Sequence, residues 1–229
     1  MARGPESLSS FADYKTEQAR LSRMRLYPLS VFYGVYAGAV ALLTFGSARP
    51  WTGLAFGLAG VPVWTLVEYL FHRYVLHGRF PKRDGRIGRF LHDRLDPLHW
   101  GHHERPFDAL HISGQLSDLL PIFIVAAPLS WLFPVYTAPV LLAGVVLCYV
   151  IEEWAHHSVH FYSFQNRYFQ YLQRYHRYHH SPEGMESGYG LTSGLWDWIF
   201  RTQFPQPVMR ALDRPGRVRG RAPGTWEKM

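Results

Sequence analysis

The chain has 229 residues, thirteen histidines, one cysteine and a formal charge of +7, with 48% hydrophobic and 16% aromatic residues. That length fits one domain, and that apolar content excludes a disordered chain. Cys148 alone excludes an intramolecular disulfide framework and a metal site built on several thiolates, so any bound metal must live on nitrogen and oxygen ligands.

Residues 1–25 are polar and carry Glu6, Asp13, Glu17 and several arginines, which predicts a juxtamembrane segment without a cleavable signal peptide. Leu26 to Phe45 is uncharged, and Trp51 to Phe71 is charged only at Glu68. Each is close to the ~20 residues that a helix needs to cross the hydrocarbon core. Ser47 to Pro50 leaves room only for a tight turn, so the two form a hairpin.

From Leu119 to Ile151 no residue is charged, and Pro134 marks a fold-back point. A second hairpin is therefore expected, Ser117 to Phe133 and Val135 to about Phe161. Two hairpins put the N-terminus, the connector from His72 to Ser117 and the C-terminal third on one side of the membrane. Nearly all Lys and Arg lie there, with Arg49 alone on the opposite side, which predicts that this side is cytosolic. The basic charge is thus spent on topology, and no nucleic-acid partner is expected. Residues 26–204 form the membrane domain, and residues 205–229, rich in Pro, Gly and Arg, form a loose basic tail.

Ten histidines fall in four clusters on the cytosolic side: His72 and His77; His99, His102 and His103; His156 and His160; His176, His179 and His180. In each His-x-x-His-His the side chains at i, i+3 and i+4 lie on one helix face and can reach a common ion. His72 and His77 are five apart and diverge by roughly 140° on a regular helix. A shared site therefore requires the helix to deform or end there, and Gly78 follows as a helix terminator. Ten imidazoles are too many for one ion and fit two, and imidazole alone leaves iron, zinc, copper and nickel open. His92, His111 and His157 are read as individually packed rings. Glu68 and Glu152 each precede a ligand histidine by four residues and are expected to accept the far ring N–H of His72 and His156.

The stretch from Glu68 to His77, His99-Trp100-Gly101-His102-His103 followed by Pro106-Phe107-Asp108, His156 with His160-Phe161, and His176 to His180 resemble the fatty acid hydroxylase and sterol desaturase superfamily. The fatty acid 2-hydroxylases are the nearest group within it. Gly188, Gly190, Leu195, Trp196 and Asp197 look like the ending of the same family, and the likeness runs from about Tyr27 to Thr202.

The resemblance implies an all-α integral membrane protein. Four transmembrane helices in two hairpins carry a cytosolic helical cap that holds a di-metal histidine site. It implies two iron ions as the working cofactor, with zinc able to occupy isolated protein, and O2-dependent hydroxylation of a long acyl chain beside its carbonyl. The ten histidines are then catalytic metal ligands. The lipid chain is expected to enter between the second and fourth helices, past Trp100, Trp154, Tyr162 and Tyr189.

Eukaryotic members often carry an N-terminal b-type cytochrome domain that the first 25 residues cannot contain. Electrons are therefore expected from a separate b-type cytochrome or ferredoxin-type carrier, docking near Arg167, Arg174 and Arg177. The expected location is a bacterial inner membrane, or the endoplasmic reticulum in a eukaryote. The competing readings are a related di-iron desaturase, a carotenoid or sterol hydroxylase, or a non-catalytic membrane metal-binding or transport protein.

Overall fold

A computed structural model describes residues 8–78, 80, 85–90, 92–93, 96–112 and 114–213. Within the connector, residues 79, 81–84, 91, 94–95 and 113 lie outside the described residues. Among the described residues there is no strand. The helices in chain order are α1 (Leu8–Phe45), α2 (Pro50–Phe71) running into a π-helical turn (His72–Leu76), α3 (Arg86–Phe90), α4 (Asp96–Glu104) and α5 (Ala109–Ile112), then α6 (Leu116–Ser130), α7 (Ala138–Phe161), α8 (Arg167–His179), α9 (Leu195–Ile199) and α10 (Gln206–Asp213).

Four stretches are long and apolar enough to cross a membrane: Ser10–Phe45, Pro50–Leu76, Ala109–Ser130 and Ala138–Phe161. Their outward faces stay apolar, with Val35 67%, Leu42 76% and Ile122 64% exposed. Water would penalise that surface and hydrocarbon would not, so the arrangement is that of an integral membrane protein. Inside, Leu26, Leu29 and Tyr33 of α1 meet Trp64 of α2, Phe123 of α6 and Val146, Tyr149 and Val150 of α7.

The α2–α7 contact is the closest in the bundle. A Cβ on Gly60 would lie 2.7 Å from the Gly144 backbone, and one on Gly144 would run into the Gly57 carbonyl. Small residues let two helix backbones meet directly, as membrane helices commonly do.

Three boundaries differ from the sequence expectation. The polar segment before Leu26 is not separate but the first turns of α1, held over the cap: Ser22 Oγ lies 2.8 Å from His157 Nδ1, and Gln18 accepts the Ala109 N–H at 3.0 Å. The fold-back around Pro134 is a run of turns, so α7 starts at Ala138 rather than Val135. The tail expected to be loose from residue 205 begins with α10, whose Leu212 packs on Tyr175 and Phe204. Residues 214–229 lie outside the described residues.

Candidate metal centre

Every clustered histidine sits at the end of an element that the bundle fixes. His72 follows α2, and His77 follows the π turn, its N–H donating to the His72 carbonyl at 3.0 Å. That i→i+5 bond is the deformation the spacing demands. A π turn spreads the chain over more residues per turn, so positions five apart stack where an α-helix would rotate them away. The rings of His72 and His77 are 5.0 Å apart.

His99, His102 and His103 come from α4, His156 and His160 from α7, and His176 and His179 from α8, with His180 just past its end. Asn166 caps the start of α8 by accepting the Tyr168 N–H at 2.9 Å. Gln173 then ties α8 to α7 by donating to the carbonyls of Val159 and Tyr162, both at 2.7 Å. These bonds set the pitch between His156–His160 and His176–His180.

The ten rings converge as two groups of five. His72, His77, His99, His103 and His179 form one, and His102, His156, His160, His176 and His180 form the other, with the candidate ligand nitrogens of each group within 4.8 Å of one another. The grouping divides each His-x-x-His-His between the two centres. His99 and His103 face the first centre while His102 faces the second, and His176 and His180 face the second while His179 faces the first. The reason is helical: positions i+3 and i+4 differ by ~100° in azimuth, so neighbours can address centres on either side of their helix. The i,i+4 pairs stay together. Between the groups, the rings of His103 and His180 stack at 4.3 Å.

Within each group the Nε2 atoms crowd together. His176 Nε2 lies 2.7 Å from that of His160, 3.0 Å from that of His180 and 3.1 Å from that of His156. In the first group His77 and His179 approach to 3.0 Å, and His103 and His99 to 3.1 Å. His72 Nε2 is buried with no hydrogen-bond partner. A neutral imidazole carries one N–H, so the four crowded nitrogens around His176 cannot all satisfy one another as donors and acceptors. A cation accepting their lone pairs removes the conflict, and the residues present fit a metal ion at each centre.

Electrostatics agree. Burial, then the neighbouring imidazoles, holds His77 and His103 down to about 2, and holds His99, His102, His176, His179 and His180 well below their usual range. Rings kept neutral are rings with a lone pair to give.

The two carboxylates do not do what their spacing predicts. His72 Nδ1 faces the Tyr189 carbonyl, while Glu68 accepts the Leu191 N–H at 2.6 Å and the Thr192 hydroxyl at 3.0 Å. Glu152 accepts the Trp64 indole N–H at 2.9 Å. Buried backbone, hydroxyl and indole donors take these carboxylates instead.

The remaining histidines have ordinary partners. His92 Nδ1 meets the Phe80 carbonyl at 2.7 Å, His111 Nδ1 meets Asp108 at 2.9 Å, and His157 bonds Ser22. Of the four aromatics expected at an entrance, Trp100 and Tyr189 flank His77, at 5.5 and 5.1 Å between ring centroids. Trp154 instead donates to Ser30, and the Tyr162 hydroxyl accepts from Arg23.

Sequence reasoning gave Asp197 no role beyond a family-like ending, yet it is fully buried. Burial pushes its carboxyl up, while four donors pull it back: Thr202, the backbone of Gly190 and Tyr189, and Tyr175. Carbonyl partners such as Tyr189 O leave no mark in a sequence.

Comparison with known proteins agrees with this geometry. The family model described as fatty acid hydroxylase matches residues 57–202. The fatty acid 2-hydroxylase of Rattus norvegicus is 33% identical over 64% of this chain and 39% of its own length. The dihydroceramide fatty acyl 2-hydroxylase FAH2 of Arabidopsis thaliana is 32% identical over 62% of this chain and 58% of its own. The chain thus spans about two to three fifths of the length of these relatives. A solved structure of full-length scs7p, in which only the hydroxylase domain is visible, superposes with a TM-score of 0.64 at 25% identity, covering 79% of this chain and 67% of that one. With most of α2, all of α6 and α7 and all ten clustered histidines inside the matched region, this chain belongs to the fatty acid hydroxylase family.

Proposed function

We propose that this protein hydroxylates the acyl chain of a membrane lipid at the carbon beside the carbonyl, with O2 and two iron ions held by the ten clustered histidines. The two groups of five convergent imidazoles are the observation that carries this reading. The position on the chain follows the names of the relatives, which are 2-hydroxylases of fatty acids and of dihydroceramide acyl chains. When bound, the iron pair supplies O2 reduction and removal of hydrogen from an unactivated C–H bond, in the balance R–H + O2 + 2 e⁻ + 2 H⁺ → R–OH + H2O.

The chain's own residues position and exclude. Five neutral nitrogens per group would hold each ion, with no protein carboxylate among them. Trp100 and Tyr189 wall the first centre, and Phe107 stands 6.3 Å from His160 on the outer side of the second. The apolar bundle below keeps the alkyl chain in hydrocarbon while its carbonyl lies at the polar cap, which fixes the carbon presented for attack.

The site faces the cytosol, since Arg73, Arg105, Arg167 and Arg177 lie on its side and Arg49 lies opposite. Electrons come from a separate acidic carrier that docks on this basic face. The exposed Arg167 lies on this face, whereas Arg174 is committed to the Leu212 carbonyl at 2.7 Å.

The test is lipid mass spectrometry of a host with and without the gene, and with His176→Ala. A 2-hydroxy acyl product that needs both the gene and His176 is expected. A new double bond or a hydroxylated ring would instead favour a desaturase or a carotenoid or sterol hydroxylase. No oxidised lipid under any condition would leave a metal-binding or transport protein.

A further inference from the structure

The two metal centres are built differently. In the first, two rings are oriented by backbone carbonyls of one loop: His179 Nδ1 meets the Ser187 carbonyl at 2.8 Å, and His72 Nδ1 meets the Tyr189 carbonyl. A carbonyl only accepts, so both rings carry their proton on Nδ1 and present a bare Nε2 inward. In the second, His102 and His180 have buried Nδ1 atoms with no hydrogen-bond partner, as does His103 in the first. Those rings are aimed by their helices and by packing.

The loop has little reason of its own to hold that shape. Between α8 and α9 the described residues form no regular element longer than a turn, and Gly188 has φ +68, a left-handed value that a side chain resists. Two buried carboxylates from outside the loop supply the shape. Asp197 Oδ1 accepts the Tyr189 N–H at 2.9 Å and the Thr202 hydroxyl at 2.7 Å, and its Oδ2 accepts the Gly190 N–H at 2.8 Å and the Tyr175 hydroxyl at 3.1 Å. Glu68 takes the next two residues, through the Leu191 N–H and both donors of Thr192. Tyr189 is therefore gripped on its N–H side by Asp197 and spends its carbonyl on His72.

We propose that Asp197 and Glu68 are positioning residues that clamp the loop from Ser187 to Thr192, so that its carbonyls fix the rings of His179 and His72 and one metal position depends on the loop while the other does not. The inference rests on the metal reading above. Neither carboxylate touches a ligand ring; each acts through the peptide groups between. Partners of this kind are typically worth roughly 10–100-fold in metal affinity.

The experiment counts ions. Full-length protein in detergent is loaded with Zn2+, its content measured by mass spectrometry, and its release followed under excess chelator. Wild type is expected to hold two ions. Asp197→Asn puts an amide N–H2 against two of the four donors, so it is expected to release its first ion roughly 10–100-fold faster and the second at the wild-type rate. Wild-type release of both ions from the variant overturns the proposal, and so does accelerated loss of both together from protein that remains helical and monodisperse.

If Asp197→Asn does not purify, Tyr175→Phe and Thr192→Val decide the matter. Each removes one donor from one clamp, and each is expected to speed release of one ion only; unchanged release in both overturns the proposal. Wild type holding no zinc would sink the metal centre itself, a result distinct from failure of the clamp.

Discussion

His77 lies one π turn after His72, with its N–H on the His72 carbonyl at 3.0 Å. The extra residue of that turn is what brings both rings to one centre. Deleting the exposed Tyr74 would convert the turn to α geometry with the two histidines at i,i+4, still on one face. Inserting an alanine after Tyr74 would swing His77 away by another ~100°. The deletion is expected to keep two ions per chain, and the insertion to release the ion of the first group roughly 10–100-fold faster. Equal metal loss in both would show that the π turn is incidental.

His176 sits at the middle of the second group, within 3.1 Å of three other Nε2 atoms. His176→Ala is expected to lower the metal content from two ions toward one and to bring lipid oxidation down to that of a host without the gene. His157→Ala, which removes a ring bonded to Ser22 instead, is expected to retain both ions. Elemental analysis of the purified variants checks both.

Gly60 and Gly144 bring the backbones of α2 and α7 into contact, and these helices carry His72, His156 and His160 at their ends. Gly144→Val forces them apart. Overpacking of this kind costs about 1–3 kcal/mol. The variant is expected to unfold at a lower temperature in detergent and to bind metal more weakly, because ligands of both centres move. An unchanged Tm would mean that the helices slide past the added methyls.

The neutral rings give metal-free protein a pH dependence of definite sign. His77 and His103 stay unprotonated down to about 2 in the folded protein, and His99, His102, His176, His179 and His180 are likewise held well below the usual imidazole value. In the unfolded chain each takes a proton near ~6.5. Stability is therefore fully present above about pH 6.5 and falls as the pH drops, by up to ~1.4 kcal/mol per pH unit for each ring. The Tm of chelator-treated protein, measured from pH 7.5 to 5.5, is expected to fall steeply over the lower half of that range. A flat profile would mean that the rings are solvated when the metal is gone.

Much of this was legible in the residues. Uncharged runs located the spans, because hydrocarbon tolerates few alternatives, and the five-residue gap between His72 and His77 demanded a broken helix that the structure supplies as a π turn. The ten histidines were identifiable from number and spacing, but their division was not. His102 and His103 are neighbours in the chain and belong to different centres, which depends on how α4 is rotated in the cap. The roles given to Glu68 and Glu152 failed for a related reason. An i,i+4 relation records that two side chains share a helix face, not which of several buried donors wins the carboxylate. Asp197 lay hidden because its partners are mostly peptide groups, which every residue has.

The adjacent pairs His102–His103 and His179–His180 each divide between the two groups, so a single peptide link joins one centre to the other at two places. The span between the two groups is then dictated by bond lengths and helix pitch. Whichever ions the two groups would hold, the chain and not the ions would set the distance between them.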